Sequence, residues 1–159
     1  MSDAAQYVTL GLAGETFAVP VDRVQEILEL RPIARLPHTP ADFLGMIDVR
    51  GSGVPVVDLR AKLGLAPGRD DESTRIVVLW ISAEARMLTL GLKADRVFEV
   101  TVLDGAELEP PPEIGTRWRS DCIAGMGRRN GAFVTVLDLD RLFSSDEIPL
   151  LASEAADAA

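Results

Sequence analysis

Two blocks of this sequence recur in the same order, and this internal repeat limits the fold more than any other feature. Asp22–Ile27 (DRVQEI) matches Asp95–Val100 (DRVFEV) at four of six positions. Leu44–Leu59 matches Ala124–Leu139 at seven of sixteen positions, 80 residues later. Repeats that keep their order predict two copies of one structural unit that pack together. The 159 residues are enough for one domain, or for two small ones that share a core.

Short segments rich in Val and Leu, punctuated by Gly and Pro, predict that both copies consist mainly of strands. One hairpin is predicted from Tyr7–Ala13 and Thr16–Val21, and a second from Arg75–Ile81 and Met87–Leu92. Short strands of this kind are typical of small β-barrels. We therefore expect a mainly β fold of two small barrels related by the internal repeat.

The spacing of apolar residues changes from a strand period to a helical period at the end of both copies of the larger repeated block. This change predicts one short helix after each copy. Asp58 and Asp138 lie at equivalent positions just before these helices. A carboxylate there accepts hydrogen bonds from free backbone N–H groups, so we interpret both aspartates as N-caps.

The charge and the apolar runs limit the classes of partner. The net charge of −9 argues against a nucleic acid or an anionic membrane surface, because both require a basic face. No apolar run reaches the ~18 residues that span a bilayer, and no signal segment is recognised, so we expect a cytoplasmic protein without membrane insertion. The single cysteine, Cys122, allows no intramolecular disulfide.

No pattern of catalytic or metal-ligating residues is recognisable. The only histidine, His38, lies between prolines in a predicted turn, and one His with one Cys cannot form a His/Cys zinc site. The sequence therefore predicts no enzyme activity and no cofactor, and favours a protein-binding surface in a groove between the two barrels. Its candidate lining residues, each of which could instead be plain core, are Val24, Ile27, Leu28, Val97, Val100 and Val102.

Arg50 is the residue that distinguishes the two copies. It stands between two apolar strands and is followed by Gly51, whereas the second copy has Asn130 at the equivalent position. An arginine there could brace the fold or contact a partner, because its planar head with five donors serves both purposes.

These residues give the chain a resemblance to the CheW family, the coupling proteins of bacterial chemosensory systems. The resemblance runs from about Tyr7 to Phe143, and its specific pieces are V-x-E-I, T-P-x-x-x-x-G, the R-G pair and V-P-V-V-D-L-R. It implies two five-stranded SH3-like barrels with short helices in one domain over 7–150. We expect the first barrel at roughly 16–72 and the second at roughly 75–143, with an exchange of terminal strands left open, and a flexible tail at 151–159.

The resemblance also implies a function. A protein of this family bridges the regulatory domain of a CheA-type histidine kinase to the cytoplasmic tip of chemoreceptors, without catalysis. We expect it to be monomeric alone and recruited to membrane receptor arrays. By motif position, the receptor contacts implied are Val24, Glu26, Gly45, Arg50, Gly51 and Val100. The kinase contacts implied are Leu30, Arg31 and Ile33, with a second, ring-forming set at Glu15, Glu113 and Ile114.

Three departures from the family pattern leave the pathway open. Position 48 is Asp where the family usually has Asn, Ser52–Gly53 replace bulkier apolar residues, and Gly91–Asp95 (GLKAD) replace a more apolar stretch. The partners could therefore belong to a flagellar system or to another chemosensory pathway, such as one that drives pilus motility. A small ligand-binding barrel and a structural oligomer without a signalling role remain the alternatives from other classes.

Overall fold

The computed structural model describes residues 5–83, 86–105, 107–110 and 122–143. Within these residues the fold is mainly β, as predicted, with two short α-helices. The strands are β1 Gln6–Leu12, β2 Glu15–Pro20, β3 Val24–Glu29, β4 Phe43–Val49, β5 Ser52–Asp58, β6 Arg75–Ala83, β7 Arg86–Ala94, β8 Arg96–Val102, β9 Ile123–Arg129 and β10 Ala132–Leu137. The helices are α1 Leu59–Lys62 and α2 Leu139–Leu142, and Val21–Arg23 form one turn of 3₁₀-helix.

The strands form two five-stranded sheets with matching topology. Sheet 1 has the order β3-β6-β7-β5-β4, and sheet 2 has the order β8-β1-β2-β10-β9. Each sheet contains two antiparallel hairpins joined by one parallel pair, β5 with β7 in sheet 1 and β10 with β2 in sheet 2. The two repeated blocks therefore occupy equivalent strands, and the two-unit architecture expected from the repeat is present.

The division of the chain between the sheets differs from the expected ranges 16–72 and 75–143. Sheet 1 is built from residues 24–94, whereas sheet 2 combines the N-terminal hairpin 6–20 with residues 96–137. The parallel pairs decide this arrangement. The N-terminal hairpin pairs through β2 with β10, and the hairpin of β6 with β7 pairs through β7 with β5. The N-terminal hairpin therefore belongs to the same sheet as β8, β9 and β10.

β6 illustrates why the strands are so uniformly apolar. Ile76, Val77, Val78 and Leu79 are all fully buried. Alternate residues of a strand point to opposite faces, so both faces of β6 lie against protein. Ile76 and Val78 belong to a core private to sheet 1, while Val77 and Leu79 belong to a larger core shared by both sheets. The two units are therefore joined by a continuous hydrophobic core rather than by a linker.

The predicted N-caps are confirmed, and with them the structural meaning of the repeated aspartates. Asp58 Oδ1 accepts a hydrogen bond from the N–H of Arg60 at 3.1 Å, and Asp138 Oδ1 accepts one from the N–H of Arg141 at 3.1 Å. These contacts satisfy N–H groups that the first turn of a helix leaves without a partner. α1 and α2 thereby begin at the same point of each copy.

Two bidentate ion pairs hold the seam between the sheets. Arg23, just before β3, donates to both carboxylate oxygens of Asp140 on α2 at 2.9 and 2.8 Å. Arg60 on α1 donates to both oxygens of Asp95, just before β8, at 2.8 and 2.6 Å. Because Arg60 and Asp140 are equivalent helix positions, the charges are reversed between the two copies. Each pair fixes one helix against the other sheet.

Some predictions fall outside the described residues. These are Glu113 and Ile114 of the second expected kinase contact and the tail 151–159. No helix within the described ranges is long and apolar enough to cross a bilayer.

Candidate protein-interaction site

Arg50 occupies a strained turn at one end of sheet 1. It follows β4 and has a φ of 53°, and the next residue, Gly51, has a φ of 87°. Two positive φ values at the centre of a two-residue hairpin are typical of a type I′ turn, which favours Asn-Gly. An arginine pays a steric penalty in this region that asparagine largely avoids. The turn is held by Asp48, whose Oδ1 accepts the Gly51 N–H at 2.7 Å.

The side chain of Arg50 reaches across the end of the sheet to Glu26. Arg50 Nη2 lies 3.1 Å from Glu26 Oε1, with exposed side-chain fractions of 78% for the arginine and 18% for the glutamate. Glu26 lies on β3 and Arg50 follows β4, and these two strands are the opposite edges of sheet 1. The pair therefore bridges the two edges and leaves most of the guanidinium in solvent, where a partner can reach it.

The glutamate has unused capacity for hydrogen bonding. Glu26 Oε2 is buried and is the one buried side-chain polar atom without a hydrogen-bond partner among the described residues. A buried acceptor without a donor is costly, so a rearrangement that supplies one stabilises the site. Arg50, which already donates to the other oxygen of this carboxylate, is one charged group that could supply such a bond.

Sheet 2 carries an equivalent pair with a different arrangement. Asn130 and Gly131 have φ values of 55° and 85°, so the same turn is made here with the residue it favours. The arginine is one position earlier, and Arg129 Nε lies 3.3 Å from Oε2 of Glu99, the equivalent of Glu26. Both sheets thus join their edge strands through a Glu–Arg pair, but only the first places the arginine in the turn itself.

The structure brings together four of the six expected receptor contacts. Glu26, Arg50 and Gly51 lie at the same end of sheet 1, and half-buried Val24 precedes Glu26 on β3. Val100 lies on β8 of sheet 2, where it is 53% exposed and equivalent to Ile27. We call Val24, Glu26, Arg50 and Gly51 the Arg50 site.

Gly45 has a different environment from the rest of that set. It is buried on β4 with a φ of 142°, and a Cβ there would collide with the carbonyl oxygen of Ala34. Ala34 and Met46 exchange two backbone hydrogen bonds of 2.8 Å beside it. A close backbone approach explains why glycine occurs at this position. Gly45 therefore shapes the strand that leads to Arg50, and its contact with a partner stays a prediction.

The expected kinase contacts lie at two places. Leu30 and Ile33 are half-buried and pack against the private core of sheet 1, with Arg31 between them. Glu15 is exposed at the start of β2 in sheet 2. The segment from Leu30 to Ile33 thus presents a surface supported by packed apolar side chains, while Glu15 belongs to a separate surface.

Sequence reasoning missed the pair of Arg129 with Glu99, together with the exposed aromatic residues Phe98 and Phe133 beside it. A signal was present, because the alignment of the two repeated blocks places Glu99 on Glu26. Its arginine was hidden because it is displaced by one residue from the position of Arg50. Within the described residues no group of His, Cys, Asp or Glu side chains is arranged to hold a metal ion.

Comparisons with known proteins agree with this architecture. The family model of the CheW-like domain matches residues 6–147. A probable chemotaxis protein CheW of Rhizobium etli is 30% identical over 151 residues, which cover 95% of this chain and 92% of the relative. Protein FrzA of Myxococcus xanthus is 31% identical over 94 residues, 59% of this chain and 56% of FrzA.

A solved structure gives the same result at the level of the fold. The scaffolding protein TtCheW from Thermoanaerobacter tengcongensis superimposes with a TM-score of 0.79 at 25% identity, and the match covers 92% of both chains. The duplicated sheets, the family match over nearly the whole chain and this structural similarity lead to one conclusion. The chain belongs to the CheW-like domain family.

Proposed function

We propose that this protein is a non-catalytic adaptor that couples a CheA-type histidine kinase to the cytoplasmic tips of chemoreceptors. Family membership supports the general role of a chemotaxis scaffold, because the relatives include chemotaxis proteins CheW and the scaffolding protein TtCheW. In this proposal the protein acts in the cytoplasm and joins receptor arrays through its two partners. It is monomeric before it binds them.

The observation that carries the receptor half of the proposal is the conformation of Arg50. The residue is strained, 78% exposed, and stands where the other copy has an asparagine that would fit the turn without strain. Strained residues that the surrounding structure maintains are concentrated at functional sites. The second copy forms the same turn with asparagine, so the turn itself does not require an arginine. In this proposal the guanidinium group of Arg50 is therefore what a partner recognises.

The Arg50 site suits an acidic or carbonyl-rich feature of a receptor tip. The guanidinium already forms an ion pair with Glu26 at 3.1 Å. This pair orients the arginine side chain, so less side-chain entropy is lost when a partner binds. Ile27, the next residue of the same edge strand, is 40% exposed and points to the opposite face of β3. Arginine is among the residues that are enriched at binding hot spots.

We assign the kinase contact to the segment from Leu30 to Ile33. Its apolar side chains rest on the private core of sheet 1, so the segment is held in place before a partner arrives. A preorganised surface loses less entropy on association than a mobile one. Glu15, on sheet 2, is our candidate for a second contact that extends the assembly.

The proposal also concerns which chemosensory pathway supplies the two partners. Asp48 and Ser52–Gly53 depart from the usual family pattern near the Arg50 site. Together with the similarity to Protein FrzA, these departures favour testing non-flagellar partners, such as those of pilus motility, beside flagellar ones. The receptor fragment that binds most tightly identifies the pathway.

Binding of the purified protein to two immobilised partners, a CheA-type regulatory domain and a receptor signalling fragment, tests the proposal. We expect both to bind with dissociation constants of about 10 µM or tighter, in the range of signalling contacts. Arg50→Asn should weaken only the receptor interaction, whereas Arg86→Asn, which removes an exposed arginine from β7, should weaken neither. Absence of binding to both partners at these concentrations would reject the adaptor function.

A further inference from the structure

Sheet 2 has a cleft at the position that corresponds to the Arg50 site. The cleft has a volume of about 630 Å³, and Arg75, Arg96, Phe98, Arg129 and Phe133 contribute to its lining. It opens beside the Arg129–Glu99 pair, just as the Arg50 site lies beside the Arg50–Glu26 pair. We call these five lining residues the Arg129 cleft.

The reversed ion pairs at the seam explain why one arginine of this cleft has no carboxylate. Arg23, the equivalent of Arg96, is bound by Asp140. The helix position that could serve Arg96 in the same way is occupied by Arg60, which pairs with Asp95 instead. Arg96 consequently forms no ion pair within the described residues, and its guanidinium lies 6.0 Å from the centre of the Phe98 ring.

The remaining arginines make the cleft locally cationic. Arg75 donates to the backbone carbonyls of Glu72 and Thr74 at 2.8 and 3.0 Å, and these neutral acceptors leave its charge uncompensated. Arg129 is balanced by Glu99. Two guanidinium groups without a carboxylate therefore face one cleft in a chain whose net charge is −9. Such a local excess attracts an anionic partner.

The aromatic side chains give the cleft an apolar component that the first copy lacks. Phe98 is 52% exposed and Phe133 is 58% exposed. The equivalent residues of sheet 1 are Gln25 and Gly53, so this apolar surface is specific to the second copy. Arg128 stacks on Phe133 with its guanidinium 4.2 Å from the ring centre, which holds the ring in place. Exposed aromatic rings flanked by arginines are characteristic of contact surfaces for proteins.

We propose that the Arg129 cleft binds an acidic polypeptide segment that carries bulky apolar side chains. Carboxylates of the segment pair with Arg96 and Arg75, and its apolar side chains pack on Phe98 and Phe133. Charge complementarity selects this partner, because Arg96 and Arg75 line the cleft without a carboxylate of their own in a chain whose net charge is −9. The surface is additional to the Arg50 site and is formed by sheet 2 together with Arg75, at the start of β6 in sheet 1, so it provides a third contact beyond those for receptor and kinase.

The test uses a short fluorescein-labelled peptide in which glutamate alternates with phenylalanine, and a matched peptide with lysine in place of glutamate. Fluorescence anisotropy should show that the full chain binds the glutamate peptide at least about tenfold more tightly than the lysine peptide. Arg96→Glu and Phe133→Ser should each weaken the glutamate peptide by about tenfold or more, since each removes an anchor. Added salt should weaken binding to the wild type.

Arg86→Glu is the matched control, because it makes the same charge change at an exposed position of β7 outside both sites. It should leave the affinity for the glutamate peptide unchanged. Arg50→Glu should disrupt receptor binding and leave the dependence of peptide binding on Arg96 and Phe133 in place, so failure of this inference and failure of the adaptor function give different results. Equal affinities for the two peptides, or folded Arg96→Glu and Phe133→Ser variants that bind like wild type, would overturn the proposal. A wild-type dimer that Phe133→Ser dissociates in sedimentation would overturn it as well, because a second copy would then cover the cleft.

Discussion

Arg50 and Asn130 occupy the same position in two equivalent turns, with φ angles of 53° and 55°. The turn geometry is therefore independent of the residue that occupies it, and the two copies differ in what the side chain offers to solvent. Asparagine suits the geometry, whereas arginine opposes it by roughly 1–2 kcal/mol. The strained arginine is thus a property of the first copy alone.

Replacing Arg50 by asparagine should leave the stability of the fold nearly unchanged. The relief of backbone strain, about 1–2 kcal/mol, is opposed by the loss of an ion pair whose glutamate is only 18% exposed, which contributes about 1–2 kcal/mol. We expect the free energy of unfolding, measured by urea denaturation, to stay within about 1 kcal/mol of the wild-type value. The reverse change, Asn130→Arg, should lower it by about 1–2 kcal/mol, because it introduces the backbone strain. A marked loss of stability in Arg50→Asn would show that the arginine is a structural brace.

Gly45 and Gly51 should respond differently to alanine. At Gly45 a Cβ would collide with the backbone of Ala34, whereas at Gly51 nothing lies within 4 Å and only the φ of 87° opposes a side chain. We expect Gly45→Ala to lower the free energy of unfolding by about 3 kcal/mol or more, and Gly51→Ala by about 1 kcal/mol. Similar values for the two variants in urea denaturation would contradict the structural role of Gly45.

The ion pair of Arg23 with Asp140 should stabilise the seam between the sheets. The side chains are 28% and 36% exposed, so solvent weakens the pair, but both hydrogen bonds are well formed at 2.9 and 2.8 Å. We expect Arg23→Ala to lower the free energy of unfolding by about 1–2 kcal/mol. A double-mutant cycle with Asp140→Ala should show coupling between the two positions, and additive losses would contradict the direct pair.

Acid should remove part of this seam stability. Hydrogen bonds from Arg23 and Arg60 hold the pKa values of Asp140 and Asp95 below their ordinary value of 3.8. A carboxylate with a lowered pKa stabilises the fold above its unfolded pKa, and this contribution is lost as the pH falls through the folded pKa. Stability should therefore decline as the pH falls below about 4. The decline should be shallower in the double variant Arg23→Ala/Arg60→Ala than in Arg86→Ala, as thermal unfolding at each pH would show.

Local features of this fold could be predicted from the sequence because they depend on short stretches. The hairpin of β1 with β2, the caps at Asp58 and Asp138, and the duplication of the unit follow from residue spacing, and the structure confirms them. β2 ends at Pro20, as expected for a residue that cannot donate to the sheet.

Long-range pairings could not be predicted in the same way. The parallel pairs of β5 with β7 and β10 with β2 decide which hairpin joins which sheet, and nothing local specifies them. The pair of Arg23 with Asp140 joins residues 117 positions apart. The burial of Gly45 depends on Ala34, in a loop whose course only the folded chain reveals.

The central claim is that Arg50 contacts a receptor rather than bracing the fold. The most direct test is the affinity of Arg50→Asn for a receptor signalling fragment, measured by isothermal titration calorimetry beside wild type and Arg86→Asn. We predict a loss of at least about tenfold with Arg50→Asn, unchanged kinase affinity and nearly unchanged stability, because only the guanidinium is removed. Wild-type receptor affinity in a folded Arg50→Asn variant would contradict the claim.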